Sequence, residues 1–479
     1  MSCDLNRMQE GFLNLDSARH SLIEAANTRE GSVNLRSEEQ VKQPWLRTGP
    51  DRRSPSPRGK GEDEDRLGCG NTRRFGEPSQ CVTGEASLGA NRAASPHSEK
   101  LTECGLFIFV GEKSADLHGE KILEALKQLS PTLRIFGVGG PKMRAAGLNC
   151  VLPMEEFQVM GFVDVFLALP KLMRQFYFVS DQILTLKPKA VLFIDYPGFN
   201  LRMAKHLRKK GFQGKLCHYI CPSVWAWGKK RIPLMAKHLD LLLTILPFEK
   251  SYFADTGLRV EYVGHPLVQR IKDHTYLPFP FPQDKKILAI FPGSRRKELE
   301  RNLALQLQVC SRLKYDNPEL AFALSVSDEK YRPLIEEIVE KQGWKDKLQL
   351  VPQDRTYELM RAAHAAIAKS GTVTLELALH GVPTVVTYAI SALDLFIARD
   401  VLKIRLPFYC LVNIIANSEV FPELFGPNFT EKNLYQKISA LIEGTERRIC
   451  KASCQALKDQ LGDGNASQEA AKYVLQLFS

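Results

Sequence analysis

At 479 residues the chain is long enough for two or three domains, and 44% hydrophobic with 25% charged residues is an ordinary globular composition. The longest apolar runs, such as Leu239–Phe248, fall short of the roughly 18–20 residues that a membrane-spanning helix needs. The net charge of +11 is unevenly placed: residues 1–100 carry fifteen basic and fifteen acidic side chains, so the surplus sits on the remainder. That balance points to a nucleic acid, an anionic lipid surface or a phosphorylated small molecule as partner.

Residues 1–103 read as a disordered extension. "GPDRRSPSPRGKGEDEDRLGCG" mixes Pro, Gly, Ser and charge without an apolar period, and cannot bury enough surface to offset chain entropy. Fifteen acidic residues weigh against a transit peptide; a genuine extension, a targeting segment and a misassigned start all stay open. From Cys104 the texture changes. "GLFIFVG" reads as a buried strand, Leu117–Leu129 as a helix and "RIFGVGG" as a second strand. A helix over Leu167–Leu186, the strand "AVLFID", a helix from Leu201 to Lys210 and the strand "KLCHYI" follow. Short apolar strands alternating with helices indicate a parallel sheet covered on both faces.

"LPFPFPQD" at 277–284 is Pro-rich and aperiodic, and reads as a linker. A second alternating series runs from "KILAIFPG" to "PTVVTY", and the segment from about 390 to 479 reads as closing helices. The expected fold class is therefore α/β, two Rossmann-like domains facing a cleft, with domains over 104–275 and 285–479. The eleven cysteines contain no C-x-x-C; Cys217/Cys221 and Cys450/Cys454 lie in apolar or helical settings, so free thiols in a reducing compartment are expected.

In parallel sheets ligands bind beyond the carboxyl ends of the strands, so the residues just after each apolar run are the informative ones. After the first strand come Gly111-Glu112-Lys113-Ser114-Ala115-Asp116; Ser114 or Asp116 suits a helix N-cap. After "VLFID" come Asp195-Tyr196-Pro197-Gly198, where the carboxylate is either a turn-former or a general base. "CPSVWAWGKKR" at 221–231 gathers Ser223, Trp225, Trp227 and three cations. It is either core packing or an aromatic wall for a sugar or lipid.

Pro292-Gly293-Ser294-Arg295 joins the first strand of the second series to a helix. Amides at a helix N-terminus favour an anion, and Arg295 can add a bidentate contact. Ser370-Gly371-Thr372 forms a second such turn, with Glu376 one helical turn in, able to accept from ribose hydroxyls. No Walker loop exists, and no G-x-G-x-x-G follows the first strand. Together the two turns point to a nucleoside-diphosphate site.

These residues are similar to those of the lipid-A-disaccharide synthase family, GT-B-like glycosyltransferases, over essentially all of 104–479. The resemblance rests on "GEKSAD", "GVGGPKM", "VMGFVDV", "IDYPGFN", "CPSVWAWGKKR", "LPFEKSYF", "VGHPL", "FPGSR", "SGTVTLE" and "LVNIIANSEVFPE", in the family's order. It implies a hexosyltransferase of lipid A biosynthesis. Such an enzyme transfers 2,3-diacylglucosamine from its UDP derivative to 2,3-diacylglucosamine 1-phosphate, forming a β-1,6 disaccharide 1-phosphate and UDP.

The resemblance assigns UDP to Gly293, Ser294, Arg295, Ser370, Gly371, Thr372, Glu376 and Asn413, and the role of base to Asp195. Glu112, Ser114, Asp116, Ser223 and Trp225 would line the acceptor side. Inversion at the sugar carbon requires a single displacement with one base. No metal and no cofactor are expected, since the D-x-D at Asp63–Asp65 lies in the extension.

The apolar stretch 159–176, with Met160, Val163, Val165, Phe166 and Leu169, is either core or a patch lying on an anionic membrane, and Pro170 should interrupt its helix. The implied setting is cytoplasmic, peripheral to the inner membrane, without nucleic acid and with room for a homodimer. Three departures stand out: Ala115 where the family usually has glycine, Gly198 where many members have a second acid, and Ser418 where relatives are often basic. Other UDP-GlcNAc-dependent GT-B enzymes and a non-catalytic lipid-binding descendant are the competing readings.

Overall fold

The strands are short, apolar and covered on both faces, as a parallel sheet between helical layers requires. A computed structural model describes residues 104–157, 162–226, 228–282, 284–390 and 406–478, without the side chains of 162–169. The expected extension at 1–103 lies outside the described residues.

The N-terminal half runs β1 (Leu106–Val110), α1 (Lys113–Leu129), β2 (Ile135–Gly139), α2 (Pro141–Ala145), β3 (Asn149–Pro153), α3 (Phe162–Leu186) and β4 (Ala190–Ile194). It continues through α4 (Pro197–Lys209), β5 (Lys215–Tyr219), α5 (Ile232–His238), β6 (Leu241–Thr244), β7 (Arg259–Tyr262) and α6 (Pro266–Lys272). Its seven strands are parallel, in the order β3-β2-β1-β4-β5-β6-β7.

The C-terminal half runs β8 (Lys286–Phe291), α7 (Arg296–Asp316), β9 (Leu320–Ser325), α8 (Arg332–Lys341), β10 (Gln349–Val351), α9 (Thr356–Ala362) and β11 (Ala363–Lys369). It continues through α10 (Thr372–Leu379), β12 (Thr384–Tyr388), α11 (Leu411–Ala416), β13 (Glu423–Phe425), α12 (Glu431–Ile442), α13 (Thr445–Leu461) and α14 (Ala466–Leu475). Six parallel strands order as β10-β9-β8-β11-β12-β13.

Two parallel-sheet α/β halves are the architecture expected from the alternation. In each, the strand order reverses beside the first strand, between β1 and β4 and between β8 and β11. Such switch points open the crevices in which ligands sit.

Several details differ from the expectation. β13 lies in a stretch read as helical; its three residues pair with β12 through Val386↔Glu423 and Tyr388↔Phe425, too short a run to show a period. α3 continues through Pro170 and forgoes a backbone hydrogen bond there. Beyond it Gln175, Val179 and Ile183 are buried and hold the helix against the sheet.

The last helix does not close the C-terminal half. Ala470, Ala471 and Val474 of α14 join the core cluster of Ile122, Leu123 and Leu126 on α1, because small residues on one face let two helices approach closely. Ser467 at its start donates from backbone N (3.2 Å) and Oγ (2.9 Å) to Gln269 Oε1 on α6. The chain thus crosses back to the first sheet.

The linker is packed rather than loose. His274 Nε2 meets Glu358 Oε1 at 3.2 Å, Leu277 N donates to the same oxygen at 3.1 Å, and Tyr276 Oη meets His380 Nε2 at 2.8 Å. Both partners, Glu358 and His380, are in the C-terminal half. The eight described cysteines are free thiols. Among the described residues, no helix is long and apolar enough to cross a membrane.

Candidate active site

β1 and β4 pair in parallel with Val110 opposite Ile194. The loops that follow therefore start side by side. Asp195 and Tyr196 both take left-handed backbone conformations (φ 50° and 48°), which non-glycine residues adopt only when their surroundings compel it. Asp195 N donates to Tyr219 O at 2.9 Å, the Asn200 amide donates to Asp195 O, and Phe199 stacks on Phe109 at 4.6 Å. Asp195 itself is 6% exposed.

The paired strand ends bring Glu112 beside Asp195, and Ser114 Oγ donates to Glu112 Oε1 at 3.2 Å. Burial, then the neighbouring Asp195 charge, holds the Glu112 carboxyl well above the ordinary carboxylate range. Two motifs that were read separately thus make one carboxyl pair.

Asp116 does not cap its own helix. Glu112 occupies the N-cap position of α1 without a side-chain hydrogen bond. Asp116 reaches across to the start of α2, where Oδ1 accepts from Gly140 N (2.8 Å) and Met143 N (3.2 Å) and Oδ2 from Lys142 N (3.1 Å). It caps a neighbouring helix. A Cβ at position 140 would lie 2.4 Å from Asp116 Oδ2, so glycine is required there. Ala115 is fully buried in the core between them.

In the loop after β5, Ser223 is half-buried, and Trp225 stands edge-on to Phe248 (centroids 5.9 Å apart) and packs against the C-terminal core. Packing therefore explains Trp225; Trp227 lies outside the described residues.

In the C-terminal half the β8–α7 turn has a partner that the motif did not suggest. Ser294 N donates to Glu298 Oε2 (2.8 Å), and Lys369 Nζ meets Glu298 Oε1 (2.9 Å). Gly293 has φ 129°, and a Cβ there would sit 2.6 Å from the Glu298 side chain. One of the amides expected to meet phosphate is thus engaged by a carboxylate of its own chain. Arg295 is half-buried at the N-cap of α7, whereas Arg296 is exposed and pairs with Glu300 at 2.8 Å. The two arginines face different surroundings.

Ser370 lies at the β11 end beside Tyr388, Tyr409 and Phe425. Thr372 is exposed as the first residue of α10, and Gly371 O accepts from Thr374 Oγ1 at 2.7 Å. Glu376 is buried, and its Oε1 accepts from Arg270 (2.9 Å) and Tyr357 Oη (2.9 Å). Asn413 is 0% exposed. Its Oδ1 accepts from Val420 N and Phe421 N, both at 2.9 Å, and its Nδ2 donates to Phe421 O and Glu423 Oε1, both at 2.7 Å. Its polar atoms shape the 417–423 loop. Ser418 is exposed on that loop.

Sequence reasoning missed Glu298, Lys369, Arg270 and Tyr357. A lysine ending an otherwise apolar strand, just before Ser370, was the one available signal. Asp328, in the loop after β9, is held below its usual range mainly by Lys330, with Lys113, the first residue of α1, contributing least.

Of the apolar patch, Met160 lies outside the described residues, as do the side chains of Val163, Val165, Phe166 and Leu169. Farther along α3, Leu172 and Phe176 pack on the core, while Met173, Tyr177 and Phe178 are 45%, 49% and 41% exposed.

The family model for lipid-A-disaccharide synthetase matches residues 106–478. The chain belongs to the lipid-A-disaccharide synthase family. It is 40% identical over 384 residues to the Chlamydia pneumoniae lipid-A-disaccharide synthase, covering 78% of this chain and 62% of that relative. It is 32% identical over 379 residues to the Geobacter sulfurreducens lipid-A-disaccharide synthase, covering 78% of this chain and 97% of that relative. The chain thus spans less than two thirds of the chlamydial synthases and nearly all of the compact one.

Among solved structures, this synthase-family chain is similar to a putative UDP-N-acetylglucosamine 2-epimerase from Listeria monocytogenes, with TM-score 0.55 and 12% identity over 76% of this chain and 94% of that one. It also resembles a UDP-GlcNAc 2-epimerase from Neisseria meningitidis bound to UDP-GlcNAc, with TM-score 0.53 and 13% identity over 78% and 99%. At such identities the likeness shows the GT-B fold alone.

Glu249, in the family segment "LPFEKSYF", holds the turn after β6. It is 1% exposed, accepts from Leu246 N at 3.1 Å, and burial pushes its carboxyl from 4.5 up to about 8. Between those values the folded chain holds a proton that the unfolded chain has released, so stability falls as pH rises through that window. Glu249→Gln is therefore expected to melt near wild type at about pH 5 and above it at about pH 9. Melting curves at the two pH values check this, and a difference independent of pH would refute it.

Proposed function

We propose that this protein is an inverting glycosyltransferase that joins UDP-2,3-diacylglucosamine to 2,3-diacylglucosamine 1-phosphate. The products are the β-1,6-linked disaccharide 1-phosphate and UDP. The observation that carries this reading is the placement of the family's short motifs. The loops with Glu112 and Asp195 meet at one switch point; those with Arg295 and Ser370–Thr372 meet at the other.

Asp195 takes the proton from the acceptor's 6-hydroxyl as that oxygen attacks the anomeric carbon. The bond to the UDP β-phosphate breaks on the opposite face, and its electron pair leaves with UDP. Arg295 and the exposed Thr372 end of α10 stabilise the charge developing on the diphosphate. Since Glu298 engages the Ser294 amide, Arg295 carries more of that task than the motif alone suggests. Both contacts to Glu376 fall on Oε1, so Oε2 is the atom assigned to a ribose hydroxyl.

The finer setting is peripheral contact with an anionic membrane. Met173, Tyr177 and Phe178 project from α3 beside α4, where Arg202, Lys205, Lys209 and Lys210 are exposed. Tyr177 stacks edge-on to His206 of that basic helix at 5.7 Å. Apolar side chains flanked by cations suit the interface of an anionic bilayer.

Three measurements check these assignments. Asp195→Asn is expected to lower kcat by roughly 10²–10⁴ while UDP affinity stays near wild type; normal turnover would make Asp195 a turn-former. Arg295→Ala is expected to raise the donor KM about tenfold or more, as loss of a charge-assisted contact does, whereas Arg296→Ala changes it less than about twofold, losing only a surface i,i+4 pair. Equal small effects would remove the diphosphate from this turn. Tyr177→Ser/Phe178→Ser should release the protein from phosphatidylglycerol-containing vesicles in a sedimentation assay without changing its melting temperature. Unchanged sedimentation would move the membrane face elsewhere.

A further inference from the structure

Glu376 is held by side chains from two other helices, one of them in the opposite half of the chain. Helix α6 ends the N-terminal half, yet its Leu267 and Val268 belong to the same core cluster as Leu375 and Leu379 of α10. Arg270 follows Leu267 by three residues, so it leaves α6 on the side that meets α10. One edge of its guanidinium group reaches two acceptors: Nε donates to Tyr357 Oη at 2.8 Å and Nη2 to Glu376 Oε1 at 2.9 Å. Tyr357 Oη in turn donates to Glu376 Oε1 at 2.9 Å. The three side chains close a triangle of hydrogen bonds.

A tie that only joined the halves would take a different form. Arginine and carboxylate pair most firmly through two parallel bonds, one to each oxygen. Here the arginine divides its edge between a phenol and one carboxylate oxygen, and both donors fall on that same oxygen. Among the described residues Glu376 Oε2 has no hydrogen-bond partner, although the side chain is only 11% exposed. An acceptor left unmatched at such burial is costly unless a ligand donates to it.

The triangle also sets protonation. Burial, then the Glu376 charge, pushes the Tyr357 hydroxyl above its ordinary range, so it stays protonated and serves as donor. Burial lifts the Glu376 carboxyl as well; the Arg270 charge and the Tyr357 hydroxyl oppose that lift and favour the ionised form, which accepts from a hydroxyl. The Tyr357 ring is fixed separately, with His274 edge-on at 5.0 Å and His380 tilted against it at 5.3 Å.

We infer that Arg270 and Tyr357 are positioning residues for Glu376: by holding Oε1 they turn Oε2 towards a ribose hydroxyl of the nucleotide, so that selection of a ribonucleotide depends on a residue of the opposite half. The inference rests on the reading that Glu376 meets the ribose. Both residues act through Glu376, and neither lies in the short segments that carry the family resemblance.

The test compares the affinities of UDP, 2′-deoxy-UDP and 3′-deoxy-UDP by titration calorimetry in the full-length protein and in Glu376→Ala, Arg270→Met and Tyr357→Phe. The wild type is expected to bind UDP about tenfold or more tightly than the analogue lacking the contacted hydroxyl, the scale of a hydrogen bond to a charged group. Glu376→Ala should bring that ratio within about threefold of unity. Arg270→Met keeps the aliphatic stem and removes the donors; Tyr357→Phe keeps the packed ring and removes the hydroxyl. Each is expected to lower the ratio about threefold or more while affinity for the deoxy analogue stays within about twofold of wild type. A purely structural role would weaken UDP and its analogue alike and leave the ratio unmoved.

Melting curves establish that each variant is folded, and if Arg270→Met is not, Tyr357→Phe decides. A folded variant of either residue that keeps the wild-type ratio overturns the inference; if Glu376→Ala has lost the ratio, the ribose reading then stands without it. A wild type that does not discriminate, or a Glu376→Ala variant that still does, removes Glu376 from the ribose, and the inference falls with that reading.

Discussion

Parallel pairing on both sides of the first strand in each half is the constraint on which this molecule depends. A parallel ladder sends every strand the same way, so all strand-to-helix turns of a sheet open on one edge. Where β1 lies between β2 and β4, and β8 between β9 and β11, helices leave on opposite faces and a crevice remains. The polar turns collect there because the strands themselves, such as LFIFV and AVLFI, are buried at every position. Polar side chains inside the strands, such as His218, Thr244, Thr384 and Thr387, are buried, and the polar turns lie at the strand ends.

Within that frame, charge is handled differently in the two halves. On the N-terminal side two carboxyl groups lie side by side, and burial, then the Asp195 charge, raises Glu112 above the ordinary range. On the C-terminal side a carboxylate and a cation are both largely buried: Glu298 bridges the Ser294 amide and Lys369. The second arrangement neutralises charge inside the protein and holds the turn before any ligand arrives. The first puts two carboxyl groups at the edge of the crevice. That contrast fits a base on one side and an anion site on the other.

The halves are joined by more than a linker. α6 ends the first half, yet its Arg270 donates to Tyr357 (2.8 Å) and Glu376 (2.9 Å) in the second. α14 ends the chain, yet packs on α1. Each half thus holds an element that belongs, by chain order, to the other. The Arg270 tie passes through Glu376, a residue proposed to bind the nucleotide, so that link between the halves and the proposed donor site share atoms.

Local pattern carried the fold class, the two strand–helix series and the positions of the turns, because apolar runs and glycine-rich turns are properties of adjacent residues. It also placed Asp195, Arg295 and Ser370 at strand ends for the same reason. It could not reveal that Glu112 meets Asp195, that Asp116 caps α2 rather than α1, or that Glu298 and Lys369 engage across the β8–β11 pair. Those depend on which strands become neighbours and in what register. Asn413 shows the limit in the other direction: its motif matched the family, but only burial and four internal hydrogen bonds reveal that its polar atoms serve a loop. The sequence by itself determined most of the elements and their ends, β13 and the passage of α3 through Pro170 excepted. Which ends came together was left to tertiary structure, because side chains from different strands acquire a common environment only when sheet pairing removes the water between them.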